Sequence, residues 1–425
     1  MRRPLRVELR RGTAPFAAAA MFGAGVWMLA VHPDDWAGRW AGLASYLRVS
    51  LLILCALMIA AGAWQSGRER RRDIDELIAS TPRPGWQPLA VAWLAVTVAG
   101  VAGLLVAFAG AAVLIARVAT YAGGGWWWTL TVGVLALAAA AAVGVLVGRL
   151  VPLRVAAPIA GLATYLGLAI VTYWDGTSAE WLSPVYGGWA VYSHVPDRVT
   201  AWQAAWLVAL TVLLLAAAAR QRRAALLLAG GLAVAVAVPI TTGPGTHRLP
   251  ADPAAVELVC TSSGPQVCLS RINAFLIDDV TEVAQPILAR LDGIPGAPRR
   301  AADQAAQPAG QPIERDDGTV WLNLDYQSTA LGGLASRKGL RADFRQVTRA
   351  RCEEPHGVRE IDQRVYRTDT LATDWMLDEA ATPDDLPLIR LRALPAPAQR
   401  TWFAAYLDAA HRCDTSALIR LGEQP

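Results

Sequence analysis

Residues 89–116 read LAVAWLAVTVAGVAGLLVAFAGAAVLIA and contain no charged side chain. A helix rises about 1.5 Å per residue, so about 20 apolar residues cross the roughly 30 Å hydrocarbon core of a bilayer. This stretch exceeds that length and has no polar side that could face water. It therefore predicts a transmembrane helix.

Six further stretches have the same apolar character, although the last two are short. They are residues 14–31, 45–65, 127–148, 155–174, 203–219 and 224–242. No cleavage site follows the first of them, so we expect it to remain as a permanent helix. The predicted fold is a membrane all-α bundle of about seven transmembrane helices over residues 1–242, followed by a soluble α+β domain over residues 243–425.

The two parts of the chain differ in charge. Residues 1–242 carry +9 and residues 243–425 carry −5, which together give the net +4 of the 425-residue chain. In the first part the arginines lie in short runs between the apolar stretches. That pattern is typical of membrane topology, and it argues against a nucleic-acid partner.

The same arginines predict the orientation in the membrane. Alternate connecting segments, beginning with the N-terminus, hold 15 Arg, whereas the opposite set holds four. Because cytoplasmic segments are rich in Lys and Arg, the N-terminus is predicted to be cytoplasmic and the C-terminal domain extracytoplasmic. The single Lys338 against 38 Arg is typical of a GC-rich bacterial genome, so the predicted location is a bacterial cell membrane.

The cysteines are concentrated in the C-terminal domain. Cys55 lies in the second apolar stretch, and the other four are Cys260, Cys268, Cys352 and Cys413. On an oxidising side of the membrane these four predict two disulfides. Three pairings are possible, of which we favour Cys260–Cys268 with Cys352–Cys413. Free or partly paired thiols are the alternative.

The C-terminal domain has mixed periodicity. Apolar residues at helical spacing predict helices over 273–292, where Pro286 is expected to cause a kink, and over 397–411. Alternation predicts a strand over 319–326, and the composition of 293–313 predicts a loop. The sequence contains no H-E-x-x-H, G-x-S-x-G or C-x-x-C motif. Residues 352–356 read CEEPH, for which a solvated acidic turn is favoured over a metal site, so we predict no catalytic residue, metal or cofactor.

The apolar stretches lack ionisable residues at their centres, and Arg48 is expected to snorkel to the interface. Proton coupling is therefore disfavoured, and active transport would need energy from another subunit, because the chain has no P-loop. Gly144 and Gly148 have the spacing of close helix packing. The aromatic residues around 126–128 and 174–206 are expected mainly to anchor the helices at the interface.

The connection from Arg68 to Trp86 is the natural place for a partner to bind. It reads RERRRDIDELIASTPRPGW, with Ile74, Leu77 and Ile78 on one face of a short helix. From these residues alone, two interpretations are equally favoured. The helix either receives a soluble motor domain or lies on the membrane, held by anionic lipids.

The arrangement resembles the exporter-type (type-two) ABC transporter permease family. The features that carry the resemblance are the basic N-terminus, the run DELIASTP at residues 75–82 and the aromatic segment WLSPVYGGW at 181–189. The resemblance implies a coupling helix that contacts an ATPase and an exoplasmic hairpin before the sixth span. The coupling positions would be Glu69, Ile74, Glu76, Leu77 and Ile78, and the hairpin positions Ser183, Pro184, Tyr186 and Gly187.

On this resemblance we expect the membrane-spanning subunit of an ABC transporter, with an exporter favoured. The implied partners are an ATPase subunit that binds ATP, a second copy or a related permease, and the lipid bilayer. The seventh span and the large outer domain depart from the family's six-helix pattern. The alternative is a non-transporting sensor or scaffold whose outer domain binds a ligand, and a membrane-bound enzyme is a weaker third possibility.

Overall fold

The structure is a computed structural model that describes residues 2–68, 71, 84, 86–173, 178–185, 190–242, 249–307, 318–324, 329–330, 332–348 and 363–424. Its contacts divide the chain into two compact units, Met1–Asp252 and Pro253–Pro425. The division lies ten residues beyond the predicted boundary of 242, because residues 249–252 pack on the helical unit.

The described part of the first unit contains one short helix followed by seven apolar helices. Their bounds are α1 Arg2–Arg11, α2 Ala14–Val31, α3 Trp40–Ser66, α4 Trp86–Ile115, α5 Trp126–Leu150, α6 Ala156–Tyr173, α7 Asp197–Ala218 and α8 Arg223–Thr241. All seven predicted stretches are helical. Six of the seven helices are long and apolar enough to cross a membrane, and the apolar part of α6 is shorter.

The outward surface of these helices is apolar. Leu227 and Leu228 on α8 are both 76% exposed, and Phe16 on α2 is 77% exposed. Contiguous apolar surface of this extent is unfavourable in water but is matched by lipid chains. The helices therefore indicate a membrane protein.

α3 lies at the centre of the helical unit, where it contacts α2, α4, α5 and α6. Backbone atoms of α3 and α5 come into close contact with each other. A Cβ atom added to Gly144 would lie 2.2 Å from the carbonyl oxygen of Ile59, and one added to Gly148 would lie 2.2 Å from that of Ala63. The spacing of Gly144 and Gly148 thus serves close helix packing, as predicted.

The two ends of the helical unit differ in composition. The arginine end is where the start of α2 meets the end of α3, through a hydrogen bond from the Thr13 hydroxyl to Gln65. The aromatic end is where Trp40 stacks on Trp126 with their ring centroids 4.8 Å apart. It also includes a cluster in which Trp181 packs with Ile240, near the end of α8.

The second unit combines a small sheet with helices. Its strands are β1 Leu258–Cys260, β2 Gln266–Ser270, β3 Arg300–Asp303, β4 Thr319–Leu322, β5 Thr329–Ala330 and β6 Gly333–Leu334. Its helices are α9 Ile277–Leu291, α10 Arg337–Asp343, α11 Gln363–Met376, α12 Leu386–Ala393, α13 Ala396–His411 and α14 Thr415–Glu423. β1 to β4 form one sheet in chain order, with β1 antiparallel to β2 and the other pairs parallel.

Two predictions for this unit are corrected. Residues 293–313 are not all loop, because β3 runs through them and Ala301 and Ala302 are buried between β2 and β4. Their short side chains suit an interior strand but do not distinguish it from a loop in sequence. The predicted helix over 273–292 begins later, at Ile277, and continues through Pro286.

We predict that Gly148→Ala destabilises the helical unit, whereas Gly110→Ala does not. The added methyl at residue 148 would overlap the Ala63 carbonyl, but no atom lies within 4 Å of the same position at residue 110. Overpacking costs about 1–3 kcal/mol, and an unhindered Gly→Ala change in a helix is neutral or stabilising by up to about 1 kcal/mol. Thermal unfolding of the two variants in the same detergent measures the difference. Equal unfolding temperatures would contradict the close contact.

Candidate functional site

The connection between α6 and α7 packs into the aromatic end of the helical unit. The structure describes residues 178–185 and 190–196 of this connection. Residues 178–185, here called the hairpin segment, begin with the 3-10 helix Ser178–Leu182. The backbone N–H of Ser183 donates to the Glu180 carbonyl, and its hydroxyl accepts from the N–H of Val185 at 3.2 Å. Val185 is 1% exposed and belongs to the main apolar core. The hairpin segment is therefore part of the packed interior.

Arg48 on α3 holds this segment from inside the bundle. Its Nε atom donates to the carbonyl oxygen of Pro184 at 3.1 Å, and its Nη2 atom donates to Oε1 of Gln203 at 3.0 Å. Gln203, on α7, donates in turn to the carbonyl oxygen of Trp181 at 2.8 Å. Arg48 and Gln203 are 1% and 2% exposed. These bonds join α3, α7 and the hairpin segment, and we call them the Arg48 cluster.

The prediction that Arg48 snorkels to the interface is wrong. α3 begins at Trp40, five residues before the predicted start, so Arg48 lies about 12 Å along the helix. Hydrogen bonds to its N–H groups lower the cost of placing a guanidinium in an apolar interior. The Pro184 carbonyl accepts from Nε and the Gln203 amide oxygen accepts from Nη2, and these bonds stabilise Arg48 inside the bundle.

A second polar contact lies at the aromatic end. Residues 249–252, here called the exit strap, pair with the segment before α7. Ser193 forms an antiparallel bridge with Ala251, and the N–H of Asp252 donates to the Tyr192 carbonyl at 2.9 Å. The hydroxyl of Tyr121, between α4 and α5, donates to the Asp252 carboxylate at 2.5 Å. The chain thus leaves the helical unit at the aromatic end.

Aromatic residues at this end do more than anchor the bundle in a membrane. Trp181 is 4% exposed and forms a cluster with Val195 and Ile240, against which Leu249 of the exit strap packs. The hairpin segment and the exit strap therefore share an apolar contact. Trp127, in contrast, is half exposed, as expected for an interfacial anchor.

The arginine end has a polar network of its own. Gln65, near the end of α3, donates from Nε2 to the Glu8 carboxylate at 2.8 Å and accepts from the Thr13 hydroxyl at 2.5 Å. Arg68 forms an ion pair with Glu8 at 2.6 Å. Glu8 belongs to α1, so this network fastens α1 to the point where the chain leaves α3.

Several predicted site residues lie outside the residues that the structure describes. They are the five coupling positions Glu69, Ile74, Glu76, Leu77 and Ile78, the hairpin positions Tyr186 and Gly187, and Cys352. The predicted coupling positions lie within residues 69–78, here called the coupling segment, which follows Arg68 of the network above in the sequence. Ser183 and Pro184 are described, and Pro184 accepts the hydrogen bond from Arg48.

The second unit contains the predicted disulfide Cys260–Cys268, which joins directly opposite residues of β1 and β2. Cys413 is also disulfide-bonded. Among the described residues, Cys55 is a free cysteine, and no group of three or more His, Cys, Asp or Glu side chains is placed to hold a metal ion.

Two carboxylates of the second unit have unusual surroundings. Asp303, at the end of β3, is 1% exposed and accepts hydrogen bonds from Ser270, Asn273 and the N–H of Ala305. These neutral donors satisfy both of its oxygens, so Asp303 fastens β3 to β2. Burial raises the pKa of Asp343 to about 6, although the N–H of Asn323 donates to it.

Comparison with known proteins gives no family assignment. No protein-family model, curated protein or solved structure matches the chain. The functional proposal therefore rests on the sequence and on the geometry of the two ends of the helical unit.

Sequence reasoning missed Gln203 and Asp252 and misplaced Arg48. The available signal was Arg48 itself, because a charged residue inside an apolar stretch marks a functional or structural contact in a membrane protein. The partners of Arg48 could not be found from the pattern, because residues 48 and 203 are far apart in the chain and Pro184 contributes only its backbone.

We predict that Arg48→Leu and Gln203→Leu destabilise the protein in a non-additive way. Each change leaves buried hydrogen-bonding groups without a partner, which costs about 1–3 kcal/mol per group. The double variant is expected to lose less than the sum of the single variants, with a coupling of about 0.5–3 kcal/mol. Thermal unfolding in detergent measures all three.

Thr211→Val provides the control for this cycle. Thr211 is also buried on α7, but its hydroxyl bonds the Leu207 carbonyl of its own helix. Its effect should add to that of Arg48→Leu. Additivity of the Gln203 change as well would contradict the Arg48 cluster.

Proposed function

We propose that the chain is the membrane-spanning subunit of an ABC transporter, with export favoured, and that a separate ATPase subunit drives it. A second copy or a related permease would complete the transport path. The observation that carries the proposal is the position of α3. This helix ends at Ser66, shortly before the predicted coupling positions in the sequence, and has the Arg48 cluster near its other end.

α3 is a continuous helix of 27 residues, about 40 Å long. Its close backbone contact with α5 and its burial between four helices favour movement as a rigid element. A displacement applied at residues 69–78 would therefore reach the hairpin segment through Arg48. Such a connection is what alternating access requires of a subunit whose energy comes from a partner on one side of the membrane.

The network around Gln65 would transmit the same displacement to a second part of the helical unit. Arg68 and Gln65 both bind Glu8, so a movement of the coupling segment would also move α1. α1 packs against the α2–α4 contact through Leu5 and Leu9. A displacement at one docking site would thus move several helices.

We further propose that the arginine end is cytoplasmic and the aromatic end extracytoplasmic. Twelve of the 15 Arg of the alternate connecting segments are described by the structure and belong to the first end, and the exit strap lies at the second. The second unit would then lie outside the cell, where the disulfide Cys260–Cys268 is stable.

The exit strap favours the alternative of a ligand-binding sensor. Its pairing with residues 192–194 would pass a movement of the second unit to the bundle without any ATPase. In that case the Arg-rich connection would signal to a cytoplasmic protein. The two proposals differ in whether a nucleotide-binding partner is present.

We expect an ATPase with a P-loop, encoded beside this chain, to co-purify with the full-length protein. Leu77→Asp with Ile78→Asp should abolish the complex, because the charges would disrupt the apolar face of the coupling segment. Gln221→Asp with Arg222→Asp adds two carboxylates to another connection at the arginine end and should retain the partner. Loss in both variants would contradict residues 69–78 as the docking site, and a wild-type protein with no nucleotide-dependent partner would favour the sensor.

We expect a tag after Pro425 to be accessible from outside intact cells and a tag before Met1 to be accessible only after the membrane is opened. The reason is that seven crossings place the chain termini on opposite sides. Protease protection of the two tags in the same cells measures this. A C-terminal tag reached only from the cytoplasm would contradict the proposed orientation.

A further inference from the structure

The short helix α1 presents a row of arginines away from the bundle. Arg3, Arg6 and Arg10 are all exposed, and their spacing of three and four residues places them on one helical face. The structure gives none of the three a hydrogen bond or ion pair with a described residue. This set is here called the α1 arginine face.

The opposite side of α1 is fixed to the helical unit. Leu5 and Leu9 pack on the cluster of Ala14, Ala95 and Ala99. Glu8 is the acidic residue of α1, and it is bound by Gln65 and Arg68. The arginine face is therefore held in a defined orientation, and its charge is not neutralised by its own helix.

The level of α1 relative to a membrane follows from its contacts. Gln65, which binds Glu8, is the last residue but one of the apolar helix α3, and Thr13 directly precedes α2. Trp64 and Trp86 at the same end are 44% and 45% exposed, as expected for rings at the headgroup level. α1 consequently lies where apolar helices leave the hydrocarbon and meet lipid phosphates.

We propose that the α1 arginine face binds the headgroups of anionic phospholipids in the leaflet at the arginine end. Guanidinium groups form charge-assisted hydrogen bonds with phosphate oxygens, and a row of three matches several neighbouring headgroups. The bound lipids would stabilise α1 against α3 and α4 and so support the Gln65 network. This inference requires only that the helices span a bilayer, and it is independent of the ATPase.

The test uses the full-length protein in an uncharged detergent, titrated with phosphatidylglycerol or phosphatidylcholine. Native mass spectrometry of the bound lipid at each concentration gives the affinities. We expect the wild-type protein to prefer phosphatidylglycerol. Each Arg near an anionic surface strengthens binding by roughly fivefold, so Arg3→Gln with Arg6→Gln and Arg10→Gln should weaken phosphatidylglycerol binding by roughly 100-fold.

The matched control removes the same charge from other connections at the arginine end. Arg154→Gln with Arg222→Gln and Arg223→Gln should leave the preference within roughly twofold of wild type, because those residues do not form one helical face. Replacing the α1 arginines by Lys should retain most of the binding, because Lys keeps the positive charge near the anionic surface. Salt should weaken it, because the Debye length falls from about 10 Å at 0.1 M to about 3 Å at 1 M.

Three results would overturn the proposal. The first is an equal loss of phosphatidylglycerol affinity in the two triple variants. The second is a wild-type protein with no preference for phosphatidylglycerol. The third is displacement of the lipid by millimolar inorganic phosphate, which would indicate a free-anion site. If the α1 triple variant does not fold, the single variants Arg6→Gln and Arg222→Gln are compared instead. Their affinities for phosphatidylglycerol are expected to differ by roughly fivefold.

Discussion

The backbone contact between α3 and α5 is the constraint on which the helical unit depends. Within a bilayer the exclusion of water does not drive helices together, so close van der Waals contact has to hold them. Gly144 and Gly148 let α5 approach the carbonyls of Ile59 and Ala63, and Gly62 does the same from α3. This contact places α3 at the centre, where both of its ends can meet other parts of the unit.

The position of α3 explains why the polar groups of the bundle are found where they are. At the arginine end, Gln65 forms hydrogen bonds with Glu8 and Thr13. Toward the aromatic end, Arg48 donates hydrogen bonds to the Pro184 carbonyl and to the Gln203 amide. Each of these polar side chains would be costly in lipid by itself, and each is stable because α3 brings it to several partners. Hydrogen bonding at both ends orients a helix whose middle is held only by packing.

Much of the fold could be predicted from the sequence, because apolar length is a strong signal and the period of a helix is fixed. All seven apolar stretches are helical, and the stripe from Trp402 to Ala410 is buried as expected. β3 was missed because Ala301 and Ala302 carry no signal of their own, and a central strand is recognised only by its neighbours. The partners of Arg48 were missed for a related reason, since a backbone carbonyl such as that of Pro184 has no sequence signature.

The number of times that the chain passes along the helical unit does not depend on the length of α6, although the apolar part of α6 is shorter than the other six apolar helices. Near its start, Gly161 faces the Ala56 carbonyl in the second half of α3. After its end, Pro184 meets Arg48 in the first half of the same helix. The chain has therefore moved along the bundle between these points, whatever the length of α6.

α7 then returns, because Gln203 near its start contacts the Arg48 cluster, whereas Ala218 at its end packs with Leu89 and Val145. α8 moves back to the aromatic end, where Ile240 packs on Trp181. It follows that the start of α2 and the exit strap lie at opposite ends of the unit, which is the geometric condition for a C-terminal unit on the far side of the membrane from α1.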